Sequence, residues 1–199
     1  MRLLAFSDLH CDLAGAERLV SASADADLVI GAGDFASVHA GLSETIDALS
    51  AITTPTLLVP GNNERVDDLR EASATWEAAT VLHGEGNEVD GVSFFGLGAG
   101  IPITPWDWSF DLDEQEAAVM LEDLPEGGVL IVHSPPFGHV DTSDGHHLGS
   151  RAILAAIEAS RPQLAVCGHI HESWGGESRV GPTRILNLGP GGTIIDVQG

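Results

Sequence analysis

The hydrophobic pattern in the first third of the chain alternates between two periods. A mostly apolar run at 2–7, with Leu3-Leu4-Ala5-Phe6 at its centre, shows no polar alternation and ends in Asp8-Leu9-His10. That is how a strand buried on both faces reads. Asp12 then offers a helix start, and the Ala-rich stretch 14–24 places Leu19 and Val20 on one face. A second apolar run, 27–31, is closed by Gly33-Asp34, and a helix over 43–52 follows with Ser43 as its expected N-cap. Thr56-Leu57-Leu58-Val59 is a β-branched and aliphatic strand, stopped at Pro60-Gly61-Asn62-Asn63. Strand and helix in strict alternation predict an α/β fold with a mostly parallel sheet and right-handed crossovers.

Beyond a helix expected at 66–74 the pattern changes. Short strands at 80–82 and 92–97, separated by Gly and Asp turns, read as a hairpin crossing to a second sheet. Residues 98–112 are irregular and hold Pro102, Pro105, Trp106 and Trp108. Indoles on such a loop either plug the fold or line a substrate wall, and plugging is the expectation here. A helix at 113–121 and a strand at 128–132 lead to a second long loop, 134–149, with His139, His146 and His147. A helix from Gly149-Ser150-Arg151 to about Ser160 follows, and strands at 163–167, 183–188 and 193–197 close the pattern. No repeat and no linker of domain-boundary length interrupts it, so residues 1–199 read as a single domain.

Charge changes the picture more than composition does. All eight cationic residues are Arg, none is Lys, and 30 Asp plus Glu bring the formal net charge to −22. This balance resembles that of proteins working in molar salt. It also disfavours a grip on long nucleic acid, because no basic patch exists to release counterions. No run approaches membrane-spanning length and the N-terminus has no signal-peptide pattern, so the expected location is the cytoplasm, with no membrane partner. Cys11 and Cys167 form no paired motif and read as small buried thiols in a reducing compartment, close to each other in space.

The chemistry lies where the strands end. Five apolar runs finish in a polar donor: Asp8-x-His10, Gly33-Asp34, Gly61-Asn62, His133, and Gly168-His169-x-His171. In the last of these, residues two apart at the end of a strand point to one side, which brings both imidazoles to the carboxyl edge of a sheet. Singly, each residue reads equally well as a turn former, a helix cap or a satisfied core histidine. Five such ends in this order carry more information, since His, Asp and Asn are the nitrogen and oxygen donors of hard or borderline divalent metals.

In that order the motifs resemble those of the calcineurin-like metallophosphoesterase superfamily, over essentially the whole chain. The segments His133-Ser134-Pro135-Pro136-Phe137-Gly138, His147-Leu148-Gly149-Ser150-Arg151 and Cys167 to Glu172 look most like its small Icc-related branch. The resemblance implies a four-layer αββα sandwich, two mixed sheets face to face with helices outside. It implies two divalent cations (Mn, Fe, Zn, Ni or Co), one held by Asp8, His10 and His171 and the other by Asn62, His133 and His169, with Asp34 bridging. Two such metals, about 3.5–4 Å apart, can activate a water and clamp phosphoryl oxygens. The implied activity is phosphoester hydrolysis of a small phosphodiester or nucleotide, with Asp34, Asn62, Asn63 and His133 closest to the chemistry. A phosphomonoesterase and a non-catalytic interaction module on the same fold are the rival readings. One departure matters: the third motif of the family usually continues with His, and here that position is Asn63. An amide cannot give up a proton, which favours a diesterase. His147, Ser150 and Arg151 add a candidate anion-binding helix start, although capping by Ser150 explains that start as well. Oligomeric state has no signature in the chain.

Overall fold

The computed structural model describes residues 1–198. The first half of the chain contributes β1 (Arg2–Phe6), α1 (Leu13–Ser23), β2 (Leu28–Gly31), α2 (Leu42–Leu49), β3 (Thr56–Leu58), α3 (Val66–Ala72), β4 (Ala79–Val81), β5 (Glu85–Val89) and β6 (Val92–Leu97). The second half adds α4 (Glu114–Met120), β7 (Val129–Val132), β8 (Thr142–Ser143), β9 (His146–His147), α5 (Arg151–Ser160), β10 (Leu164–Cys167), β11 (Glu177–Val180), β12 (Thr183–Asn187) and β13 (Thr193–Asp196). The first sheet runs β13-β1-β2-β3-β4 and the second β11-β12-β10-β7-β6-β5. Pairing is parallel from β1 to β4 and from β12 to β6, and antiparallel at β13, β11 and β5.

The period of two along each strand explains how the sheets stack. Leu3 and Ala5 of β1 face a central core with Val129 and Ile131 of β7 and Leu164 and Val166 of β10. Leu4 and Phe6 face outward instead, onto Leu19 of α1, Ile46 of α2 and Leu69 of α3. On the far side, Leu130 and Val132 meet Ala117 of α4 and Ile153 and Ile157 of α5. Three cores in parallel planes thus define the αββα sandwich expected from the motif order. No helix among the described residues is long and apolar enough to cross a membrane.

Local chemistry sets the helix starts. Asp12 accepts from Gly15 N at 2.9 Å, and Asp113 closes a capping box with Glu116. Ser43, the expected cap of α2, lies inside the helix. The chain turns through a left-handed Gly41 (φ 74°), starting the helix earlier without a side-chain cap. The expected hairpin of 80–82 with 92–97 is also corrected. β4 pairs in parallel with β3 in the first sheet, and the hairpin partner of β6 is β5, reached across Gly84. The two cysteines are free thiols with different partners. Cys11 is half-buried with its thiol donating to Ala40 O at 3.3 Å, whereas Cys167 is buried with its thiol on Leu186 O at 3.4 Å. Burial pushes the Cys167 thiol up.

Candidate metal centre

Because β1, β2, β3, β7 and β10 run parallel within their sheets, their carboxyl ends emerge along one edge of the sandwich. The loops there curl back through left-handed backbone at Asp8 (φ 56°), His10 (φ 43°), Asp34 (φ 60°) and His169 (φ 67°). The two histidines after β10 reach the edge differently from the expected strand alternation. The strand stops at Cys167, His169 takes the left-handed turn, and His171 opens a short 3₁₀ turn to Ser173. As a result they diverge. His171 joins Asp8 and His10, while His169 joins Asp34 and His133, and within each trio the ligand atoms lie within 4.8 Å of one another.

The trios meet at Asp34. Its Oδ2 is 3.5 Å from His10 Nε2 and its Oδ1 is 3.5 Å from His133 Nε2. Asn62 Oδ1 faces His169 Nδ1 at 3.1 Å and His133 Nε2 at 3.3 Å. Backbone carbonyls fix which nitrogen looks inward: His10 Nδ1 is 3.1 Å from Ala36 O and His133 Nδ1 is 2.8 Å from Ala32 O. With the proton on Nδ1, each Nε2 presents a lone pair to the centre. His10 Nε2 and His171 Nε2 then stand 3.2 Å apart. Lone pairs converging on one another and on a buried carboxylate are what a divalent cation satisfies, so the residues fit a pair of such ions. Close approach of the loops requires glycine: a Cβ on Gly33 would sit 2.6 Å from His133 Nδ1, and one on Gly61 would collide with the Asp34 carboxylate.

Without a cation the Asp34 trio holds one proton instead, on His133. Burial works against a charge on Asp34, but His133, by charge and hydrogen bond, and then His10 and His169 hold its carboxyl well below the usual range. Burial also opposes a proton on His133, yet Asp34 raises that imidazole to about 9. Burial and the charge of His133 push His169 down to about 3. A cation entering the Asp34–His133–His169 trio must therefore displace the His133 proton at neutral pH. Affinity should rise with pH until about 9 and then flatten, because acid competes for the same nitrogen. Calorimetric titration with Mn²⁺ in buffers of different ionisation enthalpy should count proton release at pH 7 and much less above the His133 value. Zero release at pH 7 would refute this order of events.

Other contacts hold the donors in place, and two of the residues that make them, Glu64 and Trp174, have no sequence signature as functional groups. Glu64, 1% exposed, accepts from Asp34 N at 2.8 Å, Gly61 N at 2.6 Å and Ala36 N at 3.0 Å, which ties the loops after β2 and β3 together. Asn62 Nδ2 donates to Ser109 Oγ at 2.9 Å, so the amide oxygen is the atom turned to the histidines. Trp174 Nε1 donates to Asp8 Oδ2 at 3.1 Å, and its ring lies 4.2 Å from that of His171. Asn63 commits both ends of its amide: Nδ2 donates to Asp34 Oδ2 at 2.7 Å and Oδ1 accepts from Val38 N at 2.8 Å. It therefore positions Asp34 and the neighbouring loop.

The expected anion-site residues, His147, Ser150 and Arg151, stand outside both trios. Glu114 already occupies the start of α5, accepting from Ser150 Oγ at 2.7 Å, Arg151 N at 2.9 Å and Ala152 N at 2.8 Å. Arg151 lies over the Phe137 ring at 3.8 Å, and His147 Nδ1 is 2.6 Å from the buried Asp141. The Trp loop differs from expectation in the opposite sense. Trp106 and Trp108 do not plug the fold; they line a cavity of about 640 Å³ that opens on His10, Asp34, Asn62 and His171.

Two donor clusters that approach each other at Asp34, on one edge of an αββα sandwich, are an arrangement of the kind two-metal hydrolases use. Comparison with known proteins narrows the class. The chain belongs to the calcineurin-like phosphoesterase superfamily, whose domain model matches residues 1–195. It is similar to the UPF0046 protein K07C11.7 of Caenorhabditis elegans, 28% identical over 209 residues, covering 94% of this chain and 69% of the relative. Among solved structures it is similar to TT1561 of Thermus thermophilus, with a TM-score of 0.76, 18% identity, and 96% and 90% of the two chains covered. A structure described as a novel archaeal phosphodiesterase shares the fold at a TM-score of 0.57, 18% identity, and 95% and 84% coverage. The superfamily is one of metal-dependent phosphoric ester hydrolases, and the described residues of this chain hold two candidate metal sites.

Proposed function

We propose that this protein is a dinuclear phosphohydrolase that prefers phosphodiesters to monoesters and works in the salt-rich cytoplasm its charge suggests. Two divalent cations would supply Lewis acidity to the phosphoryl group and to the attacking water. In this reading Asp8, His10 and His171 hold one cation, Asn62, His133 and His169 the other, and Asp34 reaches both. Neutral imidazoles and an amide keep the centre positive, which suits an anionic substrate.

The observation carrying the preference is the charge of the cavity wall. Among the described residues its lining holds the carboxylates of Asp34 and Glu172 and no Arg, and the chain has no Lys. A monoester dianion would bring a second charge that no side chain here offsets. A diester brings one. An uncompensated charge is worth on the order of 1–2 kcal/mol near a surface, so kcat/KM should favour the diester by about tenfold. The test compares bis(4-nitrophenyl) phosphate with 4-nitrophenyl phosphate on the metal-loaded protein in molar KCl. Faster monoester hydrolysis would support the phosphomonoesterase reading, and two bound metals with no turnover of either would support the non-catalytic one.

A further inference from the structure

The cavity beside the metal centre has an apolar wall that the hydrolytic chemistry does not use. Val38, Pro102, Ile103, Trp106, Leu148 and Ile170 line it. Ile103 is 64% exposed, Val38 51% and Trp106 49%. Exposed apolar groups gathered around a polar centre mark a binding surface more than a folding requirement. The wall is also built and braced. Trp106 stacks on Trp108 with centroids 5.6 Å apart and planes at 12°, so one indole face is already covered. Trp108 is held in turn by His39, whose Nε2 is 2.6 Å from the Trp108 carbonyl oxygen and whose ring meets the indole edge-on at 6.4 Å. The same loop is fastened to the metal centre, because Ser109 Oγ accepts from Asn62 and donates to Asp111 at 2.7 Å, while Asp111 accepts from Thr104 N at 2.7 Å.

Val38 supplies the second observation. Its backbone is left-handed (φ 49°), a conformation that β-branched residues rarely adopt, and it is held there by the Asn63 amide. Folding gains nothing from placing an exposed valine at a strained position. A strained residue at a binding site is a sign of function.

We propose that this wall seats a flat, uncharged aromatic ring, a nucleobase or a simpler aryl group, carried by the phosphoester whose phosphate meets the metal centre. The inference rests on the phosphohydrolase reading and adds the substrate class to it. Trp106 provides the stacking face, Val38 closes against the ring, and the lack of cationic side chains in the lining disfavours a polyphosphate tail. Ring stacking on an indole contributes roughly 5- to 150-fold in affinity.

The test compares the monomethyl esters of phenylphosphonate and methylphosphonate, which share a head group, carry the single charge of a diester and have only methoxide to lose, by calorimetry on the metal-loaded protein in molar KCl. Wild type should bind the phenyl compound tighter by that factor. Trp106→Ala should bring the ratio close to one while leaving the affinity of the methylphosphonate ester and the melting temperature unchanged, since Trp106 is half exposed. Val38→Gly should reduce the ratio as well, with a melting temperature equal to or above wild type because the strain is gone. Adenosine competing with the phenylphosphonate ester would assign the ring to a nucleobase, and an intact ratio without competition to a smaller aryl group. Equal binding of the two phosphonates, or a ratio that survives Trp106→Ala, overturns the inference and leaves the phosphohydrolase reading standing. Failure of both phosphonates to bind would overturn the two together.

Discussion

Replacing Asp34 with Ala should strip the protein of both cations and lower hydrolysis by on the order of 10³-fold or more, since each cation contributes several kcal/mol of transition-state stabilisation. The expectation comes from the reach of one side chain. Asp34 is 2% exposed, with one oxygen toward His10 and the other toward His133, so both trios lose their shared carboxylate together. It also accepts from Asn63 N at 2.9 Å and Asn63 Nδ2, and its loss would free that loop. His171→Ala should behave differently. His171 is exposed and belongs to the Asp8–His10 trio alone, so its removal should weaken one site and spare the other. Elemental analysis separates the two variants. An Asp34→Ala protein that keeps two metals would refute the bridging role.

The largest effect on folding should come from Glu64→Ala. Its carboxylate satisfies three buried backbone N–H groups from two loops. Each orphaned donor costs about 1–3 kcal/mol, so three of them lose roughly 3–9 kcal/mol against a total of about 5–15 for an ordinary domain. Urea unfolding of the metal-free protein measures this directly, and a loss under about 1 kcal/mol would show that water replaces the carboxylate. The same group carries a pH signature. Burial first, and then the Asp34 charge, push Glu64 up to about 7 against the pull of the Gly61 and Ala36 amides. A carboxyl raised in the fold holds its proton longer than in the unfolded chain. Its contribution to metal-free stability is therefore complete below the ordinary carboxylate range and is lost as pH rises through about 7. That slope should be missing in Glu64→Ala.

Much of this architecture was legible in the sequence, for a physical reason. Central parallel strands are buried on both faces, so β1, β2, β7 and β10 appear as unbroken apolar runs, and the donors beyond them stand out. The edge strands are written differently. β5 reads Glu-Gly-Asn-Glu-Val and β11 reads Glu-Ser-Arg-Val, both half exposed, and their polar alternation is that of any loop. Glu64 was invisible because a fully buried glutamate uses the same letter as a surface one, and only tertiary hydrogen bonds tell them apart. The helix start at Ser150 looked open to an anion because its occupant, Glu114, comes from another helix far away in the chain. Trp106 and Trp108 lie on a loop without periodicity, so the choice between plug and wall had no signal to settle it.

The left-handed backbone at Asp8, His10, Asp34 and His169 has a consequence for how such a site can decay. Asp, Asn and His tolerate this region better than other side chains, and they are also good metal donors. Geometry and coordination therefore select from the same short alphabet, and only glycine meets the first demand while failing the second. In a lineage released from hydrolysis, drift toward glycine at these four positions would relax the backbone by up to about 1–2 kcal/mol each. That relief is offset at Asp34 and Asp8, whose carboxylates hold Asn63 N and His169 N, so decay would be easiest at His10 and His169 and would leave the two carboxylates last.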